Sequence, residues 1–199
     1  MMNLVDRVKK ICLSPQSEWS VIAGESAPTQ SLMTGYVLPL TGAAALAGLI
    51  GNSVIGRTFI GGSFRVPIVT GITLAIFSVV AAVLGCIVIA MIINALAPQF
   101  GAQQSSEQAL KLAVYSFTPA WVAGLLQILP ALGVLTLLGS LYGLYLLFLG
   151  LPRLMQCPQD KALGYTVVVV ICAFVVMAVL GAIGGTIVGA GMVGAGMFG

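Results

Sequence analysis

Apolar residues in this chain come in long blocks rather than at the alternating or helical spacing of a half-buried element, and short polar segments divide the blocks. A helix needs roughly 20 apolar residues to cross the hydrocarbon core of a bilayer. The pattern therefore predicts transmembrane helices over 32–53, 68–97, 113–129, 131–151 and 164–188. Pro39 inside the first block predicts a kink, which lipid tolerates when neighbouring groups satisfy the freed carbonyl. The second block is longer than a bilayer requires, so its helix is expected to tilt or to project. Between blocks, Ser105 and Gln108 have the spacing of a capping box. The helix they open mixes Glu107 and Lys111 with apolar residues, as though it started at the interface and tipped into the membrane.

Residues 113–151 are the ambiguous part, one long span or two short ones divided at Pro130. Charge distribution discriminates. With five spans, Arg7, Lys9, Lys10, Lys111, Arg153 and Lys161 share one side and Arg57 and Arg65 the other, six against two; with four spans the split is four against four. Cytoplasmic loops carry the excess of Lys and Arg, so five spans are expected, with the N-terminus in the cytoplasm and the C-terminus outside.

Before the first span, residues 1–31 form a cytosolic segment. Leu4, Val5, Val8, Ile11 and Cys12 lie at helical spacing opposite Asp6, Arg7, Lys9 and Lys10, the pattern of a short amphipathic helix in the interface plane, where Trp19 would also sit. A solvated tail with one apolar stripe is the alternative. Residues 32–190 form the membrane domain, and 191–199 a glycine-rich, frayed tail. The fold class is thus all-α, a polytopic membrane protein of five transmembrane helices.

Composition agrees and narrows the chemistry. Of 199 residues 59% are hydrophobic and 7% charged, against roughly 25% charged in a soluble domain. The net charge of +3 is scattered, so nucleic acid is not an expected partner. Histidine is absent, which removes the commonest general base and metal ligand. The four cysteines, Cys12, Cys86, Cys157 and Cys172, have no metal or disulfide spacing. Reversible acylation is conceivable only at Cys12 and Cys157, near the headgroups. No nucleophile–base pair assembles, and neither an enzyme nor a cofactor is expected.

The predicted spans hold no Asp, Glu, Lys, Arg or His, the groups with which ion-coupled carriers hold charge at membrane depth. Their notable polar residues are Asn94, Gln127, Tyr142 and Tyr145. For Asn94 and Gln127 the readings are interhelical hydrogen bonding or a small-molecule or lipid pocket. The two tyrosines, beside Gly139 and Gly143, suggest close helix packing or a hydroxyl-lined groove. Gly181, Gly185 and Gly189 repeat every four residues, with Gly184 beside them, and predict a close helix contact along one stripe. Arg7, Lys9, Lys10, Arg153 and Lys161 are candidates for contact with anionic headgroups, although setting topology explains Arg153 and Lys161 as well.

The segments SPQSEW, GYVLPL, YSFTPAWVAGLLQILPALG and LYGLYLLFLGLPRLMQCPQDKALGYT together resemble the bacterial branch of the Yip family, named for the Ypt/Rab-interacting membrane proteins of eukaryotes. The resemblance covers nearly the whole chain and is most specific over 116–166. It implies a five-helix integral membrane domain with a cytosolic N-terminus. Eukaryotic members engage prenylated Rab GTPases through a long acidic and aromatic N-terminal region; this chain shows none, and a bacterial membrane offers no Rab, so that role is not expected. The expected function is a non-enzymatic scaffold or membrane-organising factor in the cell (inner) membrane, with membrane lipids and either a homo-oligomer or other membrane proteins as partners. The alternative is a channel or passive carrier for a small or lipidic solute.

Overall fold

The computed structural model describes residues 3–26, 28–59 and 62–197, excepting the side chains of 57–63 and 192–197. Five helical spans are long and apolar enough to cross a membrane, Thr29–Ile55, Ile68–Phe100, Ser106–Ile128, Pro130–Leu154 and Gln159–Gly191. They alternate in direction. One end of the bundle carries two further helices, α1 (Leu4–Leu13) and α2 (Pro15–Gly24); the other carries a two-stranded ribbon, β1 (Arg57–Phe59) against β2 (Gly62–Phe64).

The first span is composite. After α3 (Thr29–Leu32) the chain makes a π-helical turn at Met33–Val37, continues as α4 (Leu38–Leu49), and widens again at Ile50–Ile55 before Gly56 turns it out with φ 84°. Proline at position 39 has no N–H to give, and the turn just before it relaxes to a bond from Leu38 N–H to Met33 O, five residues back. The expected kink is thus a register change. Helix α5 (Ile68–Leu96) runs unbroken into a short 3₁₀ turn that Gly101 closes with φ 68°.

Helix α6 (Ser106–Gly124) begins where the capping pattern placed it. Ser105 Oγ accepts from Gln108 N–H at 3.4 Å, but the Gln108 side chain reaches to Ala23 O at 3.0 Å instead of closing the box. Two 3₁₀ segments, Leu125–Ile128 and Pro130–Val134, make the hairpin apex at Leu129, and α7 (Leu135–Leu154) returns. The next turn holds Gln156 at φ 50° and docks on the preceding loop, with Gln103 N–H donating to Met155 O at 2.8 Å. Helix α8 runs from Gln159 to Met197, well past the expected end at Val188 and through much of the stretch expected to fray.

The core lies toward the α1/α2 end and is built on α6. Tyr115 is its hub, with Tyr36 edge-on at 4.9 Å, Trp19 edge-on at 6.3 Å and the Arg7 guanidinium 5.7 Å above the ring. Of the apolar stripe of α1, Leu4, Val8, Ile11 and Cys12 pack into this core, against protein, while Val5 is exposed. Trp19 is fully buried in protein; Gly150 on α7 leaves room for its indole. Helix α8 joins at its start, where Tyr165 stacks on Phe100 at 4.8 Å and donates its hydroxyl to Ile93 O.

Candidate functional site

A groove of about 870 Å³ opens between α4, α5, α6 and α8. Its origin is local. The facing surfaces of α4 and α5 carry Ala44, Ala45, Gly48, Ala81, Ala82 and Gly85, side chains too small to fill the space between them, while Phe117 and Trp121 of α6 form the floor. Toward the ribbon end the lining turns polar, with Asn52, Ser53 and Gln127. A second chamber of about 320 Å³ adjoins there, lined by Asn52, Gln127, Pro130, Gly133, Val134 and Thr136, so Asn52 and Gln127 border both.

The widened turn at Ile50–Ile55 aims these groups. Gly51 lies against the Gln127 carbonyl oxygen, where any Cβ would collide, and Gly71 lies equally close to Ser53 Oγ. Asn52 Nδ2 donates to Gly48 O at 2.8 Å, and Val66 N–H donates to Asn52 O at 3.0 Å. The Ser53 hydroxyl is buried without a hydrogen-bond partner among the described residues, a costly state. Neither lining contains Asp, Glu, Lys or Arg. Such a site can hydrogen-bond a neutral oxygen through amides and hydroxyls and surround a hydrocarbon chain.

The opposite end of the bundle is charged. Arg7, only 5% exposed, pairs with Glu18 at 2.5 Å and with Glu25. Burial alone would lower the basicity of Arg7, but the hydrogen bond to Glu25 and the nearby Tyr115, Glu25 and Glu18 outweigh it and raise its pKa. Lys111, 1% exposed, donates to Ile22 O at 3.1 Å and Glu25 O at 2.7 Å, with Glu107 at 3.6 Å. Helix C-termini leave carbonyls unsatisfied. Here the last turn of α2 is capped by Lys111 and Gln108 from α6, which fastens the N-terminal helices to the bundle.

Residues 9–180 match the Yip1 domain, most of the chain. The chain belongs to the Yip1 domain family. It is also similar to the inner membrane protein YohC of Escherichia coli K12, 26% identical over 156 residues that cover 76% of this chain and 80% of the relative, and to YohC of the O6:H1 strain CFT073 at the same identity and coverage. No solved structure matches it.

In this Yip1-family bundle the residues singled out from sequence fall into distinct places. Gly139 and Gly143 of α7 meet the backbone of α6; a Cβ there would lie 2.6 Å from Pro119 O and 2.5 Å from Ser116 O, respectively. Gly181, Gly185 and Gly189 have nothing within 4 Å, and α8 instead approaches α5 through Gly184, beside the Phe77 ring, and Gly191, beside Thr70. Asn94 stands near the end of α5, its Nδ2 3.4 Å from Ser106 Oγ and its carbonyl accepting from Gln104, at the loop rather than at mid-membrane. Gln127 borders both cavities. Tyr142 donates to Cys12 O at 2.8 Å, pinning α1 to α7, and Tyr145 stands beside it half exposed, so the two hydroxyls line no common groove.

Among the cations, Arg7 is corrected from a headgroup candidate to a buried ion-pair partner, because burial without Glu18 and Glu25 would leave its charge unsolvated. Lys9, Lys10, Arg153 and Lys161 are exposed, and Arg153 Nη1 donates to Ser20 Oγ at 2.7 Å. The side chains of Arg57 and Phe59 lie outside the described residues. The expected spans, the third beginning at residue 113, hold no charged side chain, but the helical span that contains it begins at Ser106 and so includes Glu107 and Lys111 in its first turns. The carbonyls that Lys111 meets, Ile22 O and Glu25 O, lie at and just past the end of α2, far away in sequence, and only the shared burial of Arg7, Glu18 and Lys111 reveals the network. Of the two thiols considered for acylation, Cys157 is buried and Cys12 half-buried, and burial raises both pKa values, which disfavours a reactive thiolate.

Proposed function

We propose that this chain is a non-enzymatic, multi-pass protein of the cell inner membrane that organises lipid and neighbouring helices around its bundle. The observation that carries the reading is the groove, mostly apolar and polar only toward the ribbon end, walled by membrane-spanning helices, and reachable from the side past the exposed Ser78, Met177 and Gly181. Such a surface engages bilayer components laterally. The inner-membrane location is supported by the YohC relatives, and the cytoplasmic placement of the N-terminus by the distribution of Lys and Arg. Binding of a Rab GTPase is not part of the proposal. A passive carrier for a lipidic solute is the second reading, favoured by the polar chamber that joins the groove at one end.

The test is reconstitution into phosphatidylethanolamine/phosphatidylglycerol vesicles over a range of protein densities. Vesicle diameter and acyl-chain order are expected to change with density, with no flux driven by a proton or sodium gradient. An unchanged bilayer together with downhill movement of a lipidic solute would replace the first reading with the second, and a gradient-driven flux would overturn both.

A further inference from the structure

We infer that the groove and its adjoining chamber form one binding site for a membrane glycerophospholipid, with one acyl chain in the groove and the ester and glycerol oxygens in the chamber. This rests on the reading of the groove as lipid-facing and goes further by naming the occupant. Three observations select it. First, the cavity is amphipathic in a fixed sense, hydrocarbon-lined between α4, α5 and α8 and lined by Asn52, Ser53, Gln127 and Thr136 at the ribbon end. A phospholipid has the same order of parts from tail to ester. The larger space is within the roughly 300–1,000 Å³ of ordinary ligand cavities.

Second, the side opening lies on the lipid-facing flank, so a tail enters without leaving hydrocarbon while the second tail remains in the bilayer. Third, the polar end of the cavity is uncharged but not satisfied. The buried Ser53 hydroxyl, in the groove lining beside Asn52 and Gln127, has no acceptor among the described residues, and an ester carbonyl where groove and chamber meet supplies one. A free fatty acid would instead bring a carboxylate into a lining with no cation. Arg65, exposed, stands in sequence between the groove-lining residues Phe64 and Val66 at the ribbon end, a cation for a phosphate that emerges there.

The experiment uses the full chain in vesicles containing phosphatidylethanolamine with a photoactivatable diazirine midway along one acyl chain, with digestion and mass spectrometry after illumination. Labels are expected to concentrate on groove residues such as Ala45, Ala81 and Leu180. Filling the groove with Ala82→Trp is expected to reduce them several-fold, and Gln127→Leu, which leaves the groove open, to reduce phospholipid retained in native mass spectrometry, while labelling of Leu137 and Leu141 on the outer face of α7 stays unchanged. If Ala82→Trp does not fold, the Gln127→Leu result decides. Labels spread over α7 and α8 in proportion to exposure, as annular lipid would give, overturn the inference. So does equal labelling by diazirine-bearing palmitate. Even labelling alongside a preserved effect on vesicle diameter defeats this inference alone; even labelling with no effect on the bilayer defeats the proposed function as well.

Discussion

Helices α6 and α8 are opposites. In the span built on α6, 67% of its most apolar window is buried; in that built on α8, only 6% is. Yet α8 is the more hydrophobic, carrying an uncharged run from Ala162 to the C-terminus, whereas α6 includes Glu107, Lys111, Ser116 and Thr118. In water the most apolar helix is driven inside. In a bilayer no such force separates lipid from protein, and the position of a helix is set by which polar groups need partners and which small residues permit close approach. Helix α6 is central because its Thr118 hydroxyl, Gln108 amide and Lys111 ammonium meet groups that the first span and the end of α2 bring to it, and because Gly139 and Gly143 let α7 approach its backbone.

Removing a partner of that polar surface is therefore expected to have the largest effect. Arg7→Leu leaves Glu18, 4% exposed, as a buried charge without its cation. The expected loss is about 3–5 kcal/mol, the usual cost of breaking one side of a buried pair. Thermal unfolding in detergent should show it, and protease should gain access to residues 14–26 as α1 and α2 detach. The double variant Arg7→Leu/Glu18→Leu should recover much of the stability. On α8, Phe174→Ala, at a side chain 76% exposed, should change little. Equal losses in Arg7→Leu and Phe174→Ala would mean that burial, and not polarity, places the helices.

The next expected effect tests close approach. Gly143→Leu drives a side chain into Ser116 O, whose position the α6 backbone holds, and Gly139→Leu does the same at Pro119 O. Overpacking of this kind costs about 1–3 kcal/mol where neighbours can yield, and more against backbone. A fall in unfolding temperature with retained helical circular dichroism is the expected reading. Unaltered stability would show that α7 is held chiefly by the α1/α2 contacts, such as Tyr142 to Cys12.

Much of this was legible in the chain. Block lengths and the Lys/Arg split predict five spans and an apex near Pro130, and the structure places the apex at Leu129. Glycines 139 and 143 could be read as packing residues because a membrane interface favours small side chains on a helix face. The charged cluster was not legible, because Arg7, Glu18, Glu25 and Lys111 are dispersed in sequence and local pattern says nothing about which dispersed charges meet. Nor was the groove. Its lining of alanines and glycines on α4 and α5 looks in sequence like any membrane helix, and only the facing of two such surfaces makes a cavity.

The smallest expected effect concerns the stripe of Gly181, Gly185 and Gly189. Within one chain a leucine at 185 meets open space, so Gly185→Leu should leave the unfolding temperature of the isolated chain unchanged, whereas Gly184→Leu presses on the Phe77 ring, 3.3 Å from the first added carbon, and should cost a little. A second outcome is carried by the same variant. Bare stripes let two helices approach until van der Waals contact and Cα–H···O bonds form, and a stripe unused within the chain is available to another copy. If Gly185→Leu leaves monomer stability intact but shifts the detergent-solubilised protein toward smaller species by multi-angle light scattering, the stripe joins subunits. If it alters neither, the glycines are compositional, and α8 meets lipid along that whole face. If it destabilises the monomer, the packing of α8 on α5 is rotated from the one described, and the contrast with α6 weakens accordingly.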